Sequence, residues 1–408
     1  MNIGYVRTVM RRARVATFAF FGLNGFVIGM WVVHIPVVEQ RAGVGHATFG
    51  LLLLLLGGGA FAGMQVAGPL TDRFGPHRVV PVSALLCTTA LVLPGLATSG
   101  LALGAALLVL GFGNGCLDVS MNAHAVEVEH AYGRTIMSAF HAVWSVGGFA
   151  AALAGARTLT WGWAPATTFA VAAGVTLLIA LAATPALLRR ASKPAEDGPK
   201  QRRRTSSRIW WLAVVAFLLM LAEGVANDWS VLHLSTVLDA PEATAAFAYG
   251  SFAAAMTIGR LLTDPVSQRF GPVAIVRYGS AIAAAGILTA SLTSSIPVAL
   301  AGWTLFGIGL SGCVPQLFSA AGHADRDNAG ANVSRVAGLG YLGILAGPAI
   351  VGPMTHLMPL NHTFLLIAGF CVVAVAAAGL LSPATAASAS PGTPPSPPGH
   401  REAATRRP

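Results

Sequence analysis

Stretches of mostly apolar residues recur along the whole chain, separated by short polar gaps. A helix that crosses the hydrocarbon core of a bilayer needs about 20 such residues. On that ruler the pattern predicts twelve spans, at 15–38, 48–70, 79–97, 101–122, 135–156, 166–188, 209–235, 243–264, 274–293, 297–319, 331–354 and 362–382. Helix is the type that fits, because lipid offers no partner to backbone N–H and C=O groups and each segment must satisfy its own. A transmembrane β-barrel would show short strands of alternating polarity, and these runs do not alternate. The expected fold class is an all-α membrane protein of twelve transmembrane helices.

Composition agrees with the pattern. Of 408 residues, 55% are hydrophobic and 10% charged, against about 25% charged in a soluble domain. That excludes a soluble enzyme, a secreted disulfide scaffold and a disordered protein. The net charge of +10 is not gathered on a polar domain, as nucleic-acid binding requires; it lies in the gaps between apolar runs. With the N-terminus inside, 23 of the 25 Lys and Arg residues fall on the cytoplasmic side, leaving Arg41 and Arg157 outside, so both termini are expected in the cytoplasm. The run from Val15 to Val38 follows Arg7, Arg11, Arg12 and Arg14 like a signal peptide, but it is too long and lacks a cleavage site, so it reads as a retained first helix. Cys87, Cys116, Cys313 and Cys371 all lie in apolar runs, without metal-ligand spacing, and read as packing residues. The glycine clusters Gly57-Gly58-Gly59 and Gly111-x-Gly113-x-Gly115 lie inside spans and read as close helix packing, not as a nucleotide loop. Neither a metal nor a cofactor is expected.

The chain repeats itself. Arg73-Phe74-Gly75-Pro76 returns as Arg269-Phe270-Gly271-Pro272, and Gly111-Phe112-Gly113 as Gly307-Ile308-Gly309, both with a shift of 196. Two parallel six-helix repeats are the mark of a transporter built from two pseudo-symmetric bundles. The expected organisation is a cytoplasmic N-terminus (1–14), one bundle (15–188), a basic cytoplasmic linker (189–208), a second bundle (209–382) and a Pro/Ser/Ala-rich disordered tail (383–408).

Gly68-Pro69-Leu70-Thr71-Asp72-Arg73-Phe74-Gly75-Pro76-His77-Arg78 resembles the G-x-x-x-D-R-x-G-x-x-R loop of the major facilitator superfamily, with a partial copy at Gly259-Arg260, Asp264 and Arg269-Phe270-Gly271. Cys116-Leu117-Asp118-Val119-Ser120-Met121-Asn122 is similar to helix 4 of the fucose–proton symporter branch, as are Met137-Ser138-Ala139-Phe140-His141 and Asn227-Asp228-Trp229-Ser230 to related carriers. Val32 stands where that branch has a second acid, and Leu107 where many proton-coupled relatives have Arg. The resemblance implies alternating access, a small polar solute such as a sugar or related metabolite, protons as coupling ion, and action as a monomer in a bacterial cytoplasmic membrane. It assigns gating to Gly68, Asp72, Arg73, Gly75, Arg78, Asp264 and Arg269. A proton-driven exporter of a drug or metabolite is the alternative. Gly147-Gly148 without a following Pro in helix 5 speaks against the drug antiporters. A membrane sensor without transport is a third reading, with little soluble domain to receive a signal.

Charged groups within a span cost several kcal/mol and are functional candidates. Asp118 is expected about one turn from the cytoplasmic end of helix 4, level with His141 and paired with it, with Asn114 and Asn122 continuing one polar stripe. Glu223 lies near the middle of helix 7, sharing a face with Asn227 and Ser230, and Asp228 lies closer to its outer end. In helix 1, Asn24 and Trp31 share a face, suited to hydroxyl bonding and ring stacking, with His34 near the outer end. Gln316 in helix 10 is a further candidate, and Arg134 with Glu127 and Glu129 is a candidate interhelix cluster on the cytoplasmic face.

Overall fold

A computed structural model describes residues 3–44, 46–189 and 205–382. Residues 190–204, most of the expected linker, and the expected tail lie outside the described residues. Twelve helical spans follow one another among the described residues: α1 Ile3–Ala42, α2 His46–Phe74, α3 Pro76–Ala90 continued by Val92–Leu96, α4 Gly100–Tyr132, α5 Met137–Thr160, α6 Pro165–Ala183, α7 Ser207–Val237, α8 Glu242–Phe270, α9 Pro272–Leu292, α10 Ile296–Leu310 continued by Cys313–Ala324, α11 Ala329–Met354 and α12 Leu360–Ala377. Eleven are long and apolar enough to cross a membrane. The exception, α8, carries Arg260 and Asp264, and both face the other half, as shown below.

The repeated Gly-Pro explains itself in the backbone. Gly75 (φ 81°) and Gly271 (φ 83°) take positive φ angles that a side chain disfavours. The proline after each opens the next helix, where its missing N–H costs nothing. The chain thus turns sharply from α2 into α3 and from α8 into α9.

Two helices outrun their hydrophobic patterns by ten residues or more at one end. α4 continues ten residues past the expected end at 122, through Ala-His-Ala-Val-Glu-Val-Glu-His-Ala-Tyr. Its polar groups are met by neighbours. His124 pairs with Thr17 Oγ1 (3.0 Å) and accepts from the Leu188 amide (2.9 Å), and Arg14 donates to the Tyr132 hydroxyl (2.7 Å). α1 begins at Ile3, so the described part of the expected N-terminal segment is helix.

Within the first half α4 packs on α2 and α3, and α1 on α5 and α6; in the second, α10 packs on α8 and α9, and α7 on α11. The repeated glycines make the equivalent contacts. A Cβ on Gly111 would sit 2.0 Å from the Leu56 carbonyl oxygen of α2, and one on Gly307 2.3 Å from that of Phe252 in α8. Backbone-to-backbone approach of this kind replaces the hydrophobic drive that lipid cannot supply. Large apolar side chains such as Leu101, Val82, Leu178, Tyr278 and Leu292 are exposed on the outer surface, as a lipid-facing belt requires. Trp161, Trp163, Trp210 and Trp211, also exposed, stand near span ends, where indoles sit at the membrane interface.

The halves meet along two related seams, α2 against α11 and α5 against α8. The described ends of the chain, the α2–α3 and α8–α9 turns and the α4–α5 and α10–α11 connections share one face, hereafter the termini face.

Candidate functional site

The extension of α4 changes the position of Asp118. It stands fourteen residues from Tyr132, about 21 Å along the axis at 1.5 Å per residue, so it is a mid-helix residue and not one turn from the end. Among the described hydrogen bonds none joins it to His141 directly. Asn122 bridges them: its Nδ2 donates to the Asp118 backbone oxygen (2.9 Å) and to Oδ1 (3.3 Å), and its Oδ1 pairs with His141 Nε2 (3.2 Å). Asp118 is 6% exposed, and its Oδ2 has no hydrogen-bond partner.

A second chain of bonds lies alongside. Trp144 Nε1 donates to Asn24 Oδ1 (2.7 Å), and Asn24 Nδ2 donates to Asn114 Oδ1 (2.8 Å). Asn24, Asn114, Asp118, Asn122, His141 and Trp144 thus form one polar wall from α1, α4 and α5. The i, i+4 spacing of 114, 118 and 122 puts the α4 residues on one face.

The opposite wall comes from the second half. Glu223 of α7 meets Arg260 of α8 at 3.3 Å. Arg260 also donates across the seam to Ser145 Oγ of α5 (2.9 Å), and it is an electrostatic neighbour of His141. Tyr341 of α11 lies beside Asn114, near Asp118 and Glu223. The sequence reading counted Arg260 among charges at the cytoplasmic ends. It stands ten residues before the end of α8, inside this network.

Toward the termini face the seams are locked by carboxylates on helix N-termini. Asp72 accepts from the Gly330 and Ala331 amides of α11 (2.7 and 2.9 Å). Asp264 accepts from the Ser138 and Ala139 amides of α5 (3.0 and 2.6 Å). The first N–H groups of a helix have no partner of their own, and the helix dipole favours an anion there. Glu129 forms a third lock. Its Oε2 accepts from the Ile136 and Met137 amides, both at 2.9 Å, and its Oε1 takes a short hydrogen bond from Ser319 of α10. Arg134 Nε donates to Gln268 Oε1 (3.0 Å), whose amide donates to the Thr135 carbonyl (3.0 Å). A shallow cleft of about 590 Å³ lies at these residues on the termini face.

The remaining candidates are dispersed. Gly68 lets α2 approach α11, since a Cβ there would lie 2.6 Å from Ser334 Cβ, and Gly75 makes the turn. Arg73 and Arg269 are exposed, each over the adjacent phenyl ring of Phe74 or Phe270, and Arg78 is exposed at the start of α3. Gln316 is buried in the lock, between Ser267 (3.2 Å) and Ser138 (3.5 Å), and is not part of the central network. Trp31 is 1% exposed and packs against Phe49 of α2, away from Asn24. Asn227 and Asp228 are exposed, and no bond joins them to the network among the described residues. Sequence reasoning misses Trp144, Ser145 and Tyr341, which carry no charge, and places Arg260 in a loop-motif copy and not in the site.

Two repeated helix bundles that meet around a buried polar core, locked on one side by separable bonds, define a multi-pass membrane transporter. The model of the Major Facilitator Superfamily matches residues 15–348 and 212–407, and the chain belongs to that family. It is 35% identical over 368 residues to an uncharacterised MFS-type transporter of Yersinia pestis, covering 90% of this chain and 94% of the relative. It is 30% identical to the membrane protein MosC of Rhizobium meliloti, covering 88% of each. Its fold matches the crystal structure of FucP in the outward conformation, with a TM-score of 0.77 at 16% identity, covering 90% of this chain and 98% of that one. It also matches the human organic anion transporter MFSD10, with a TM-score of 0.73 at 18% identity, covering 91% and 99%. Transporters of this family are not enzymes.

Proposed function

We propose that the chain is a proton-coupled secondary transporter of a small polar solute, a sugar or related metabolite, working as a monomer in a bacterial cytoplasmic membrane with its termini face inside. Asp118 carries this reading: a buried mid-helix carboxyl with one oxygen unpartnered, between two halves that must move. A lone charge at such depth is costly, and a proton or a bound partner removes the cost. The Asn122–His141 relay leads from it toward the Ser138–Asp264 lock. The sugar class rests on the helix-4 likeness and on FucP, an E. coli fucose:proton symporter of the same fold. The basic residues of the termini face support its cytoplasmic side, and the bonds locking that face hold it closed in this state.

The test is flux in proteoliposomes across a solute panel under an imposed pH gradient. Wild type accumulates its solute against the solute's own gradient. Asp118→Asn keeps counterflow exchange and loses accumulation; an Asp118→Asn protein that accumulates as wild type does sinks the coupling role. Reversing the pH gradient separates symport from export by antiport.

A further inference from the structure

Arg260 is under-used where it stands. A resting guanidinium–carboxylate pair commonly makes two parallel bonds of about 2.7–2.9 Å. Arg260 makes one long contact with Glu223, at 3.3 Å, and one bond to Ser145 at 2.9 Å. Its Nε is buried with no partner at all. Its neighbours on the first half are the hydroxyl of Ser145 and the His141 ring; on its own half it faces Glu223. A buried planar donor set with spare N–H groups, at the meeting of two walls that also carry amides, a phenol, an indole, the His141 ring and the Asp118 and Glu223 carboxyls, is suited to a carboxylate attached to a hydroxylated body.

We propose that the transported solute is a hydroxylated organic acid, a sugar acid in place of a neutral sugar, and that Arg260 is the residue that selects its carboxylate. The proposal rests on the carrier reading above. The solute's carboxylate takes the fork of Arg260, displacing Ser145 and loosening Glu223, while its hydroxyls meet Asn24, Asn114 and Trp144. An ionised Asp118 carboxyl would repel an anion at this site, so the coupling proton and the acid enter together. Ser145 is then a competitor for Arg260, a role that a purely structural bond would not have.

Binding and flux with the full-length protein in proteoliposomes test this with matched pairs: glucose and glucuronate, galactose and galacturonate, and glucosamine as the cationic control. The acids are expected to bind at least about tenfold tighter than their neutral partners, as a charge-assisted bidentate contact implies. Arg260→Gln removes that gap and Arg260→Lys keeps part of it. The double variant Arg260→Gln/Glu223→Gln, which leaves no unpaired charge, also loses the gap, so a folding defect of the single variant does not decide the matter. Ser145→Ala tightens acid binding about threefold to tenfold, because one competing hydrogen bond is gone. Neutral or amino sugars binding as well as the acids, a gap that survives Arg260→Gln, or no binding by any acid of the panel each overturns the proposal. Acid binding without flux sinks the carrier reading and, with it, the transport half of this proposal, leaving Arg260 as a carboxylate-selecting residue; flux of neutral sugars alone sustains the carrier reading and overturns the proposal.

Discussion

Asp264→Asn isolates one lock. The carboxylate is 5% exposed and accepts two amides of the α5 N-terminus, at 3.0 and 2.6 Å. Asparagine offers one acceptor oxygen and turns an amide NH2 toward the second N–H. The change removes a charge-assisted bond, about 1.5–3 kcal/mol, and the charge–dipole attraction, about 0.3–1 kcal/mol. A loss of about 2–4 kcal/mol from the closed state multiplies the population open to the termini face by about 30 to 900, at 1.36 kcal/mol per tenfold. Val333 of α11 is fully buried and packs into the core of the first half, so Val333→Cys reports opening through its rate of maleimide alkylation; the four native cysteines are buried and serve as controls. When closing outpaces alkylation, the rate follows the open population, and it should rise by that factor in the Asp264→Asn background. A rate within threefold of the parent, in protein that stays monodisperse, would show that the contact does not hold the seam. Asp72→Asn should act in the same direction, and the double variant should reach the product of the two if one rigid-body movement breaks both locks.

Trp31→Ala should cost about 3–5 kcal/mol of stability as a core deletion, read as lower melting and yield, with KM unchanged in the surviving protein; a raised KM at wild-type melting would return Trp31 to the binding site. Trp144→Phe removes the bond to Asn24 while keeping an aromatic ring, so KM should rise about threefold to tenfold with melting little changed by differential scanning fluorimetry. Gly111→Ala puts a Cβ 2.0 Å from the Leu56 carbonyl, and separating α4 from α2 should cost about 1–3 kcal/mol or more, seen as loss of the monodisperse peak in size-exclusion chromatography after mild heating. Glu129→Gln should raise Val333→Cys alkylation by a smaller factor than Asp264→Asn, because two of the bonds it weakens, to Ile136 and Met137, lie within one half.

Hydropathy made the spans legible because lipid demands long apolar helices, and the Arg-Phe-Gly-Pro repeat made the bundles legible because each glycine must take a positive φ. The glycine packing follows the same register: Gly113 approaches Cys87 as Gly309 approaches Ala283, each pair shifted by 196. The locks do not. Asp72 and Asp264, and the amides of 138 and 330 that meet them, are shifted by 192. One helical turn separates the two registers. Asp72 lies two residues before the end of α2, Asp264 six before the end of α8, and Gln268 occupies the place that the loop alignment gives to Asp72. Sequence alignment follows the turns, so it did not show that Asp264 serves a deeper lock. The length of α4 was hidden for another reason: residues 123–132 look like a polar loop until Thr17, Leu188, Arg14 and Ser319 supply their partners. Tertiary contacts of that kind leave no periodicity to read. The same holds for Trp144, Ser145 and Tyr341, which matter only because helices distant in sequence bring them beside Asn24, Arg260 and Asp118.

The displaced register has a mechanical consequence. On α8, Arg260 and Asp264 are one turn apart; on α5, Ser138, His141 and Ser145 follow at one-turn intervals. Site and lock therefore share two helices with a single turn between them, and a solute that draws Arg260 from Ser145 acts next to the bond between Asp264 and the α5 N-terminus. At the related seam the position one turn before Asp72 is Gly68, which brings α2 against Ser334, and Ser334 itself donates to the Met64 carbonyl (2.7 Å). That seam is close-packed, and among the described residues Gly68 stands there where α8 has Arg260, so it holds no counterpart of the Arg260–Ser145 bond for a solute to displace. On the proposed reading the two-fold repeat is functionally one-sided: the α5–α8 seam would sense occupancy, and the α2–α11 seam would follow because packed bundles move as bodies and do not deform continuously.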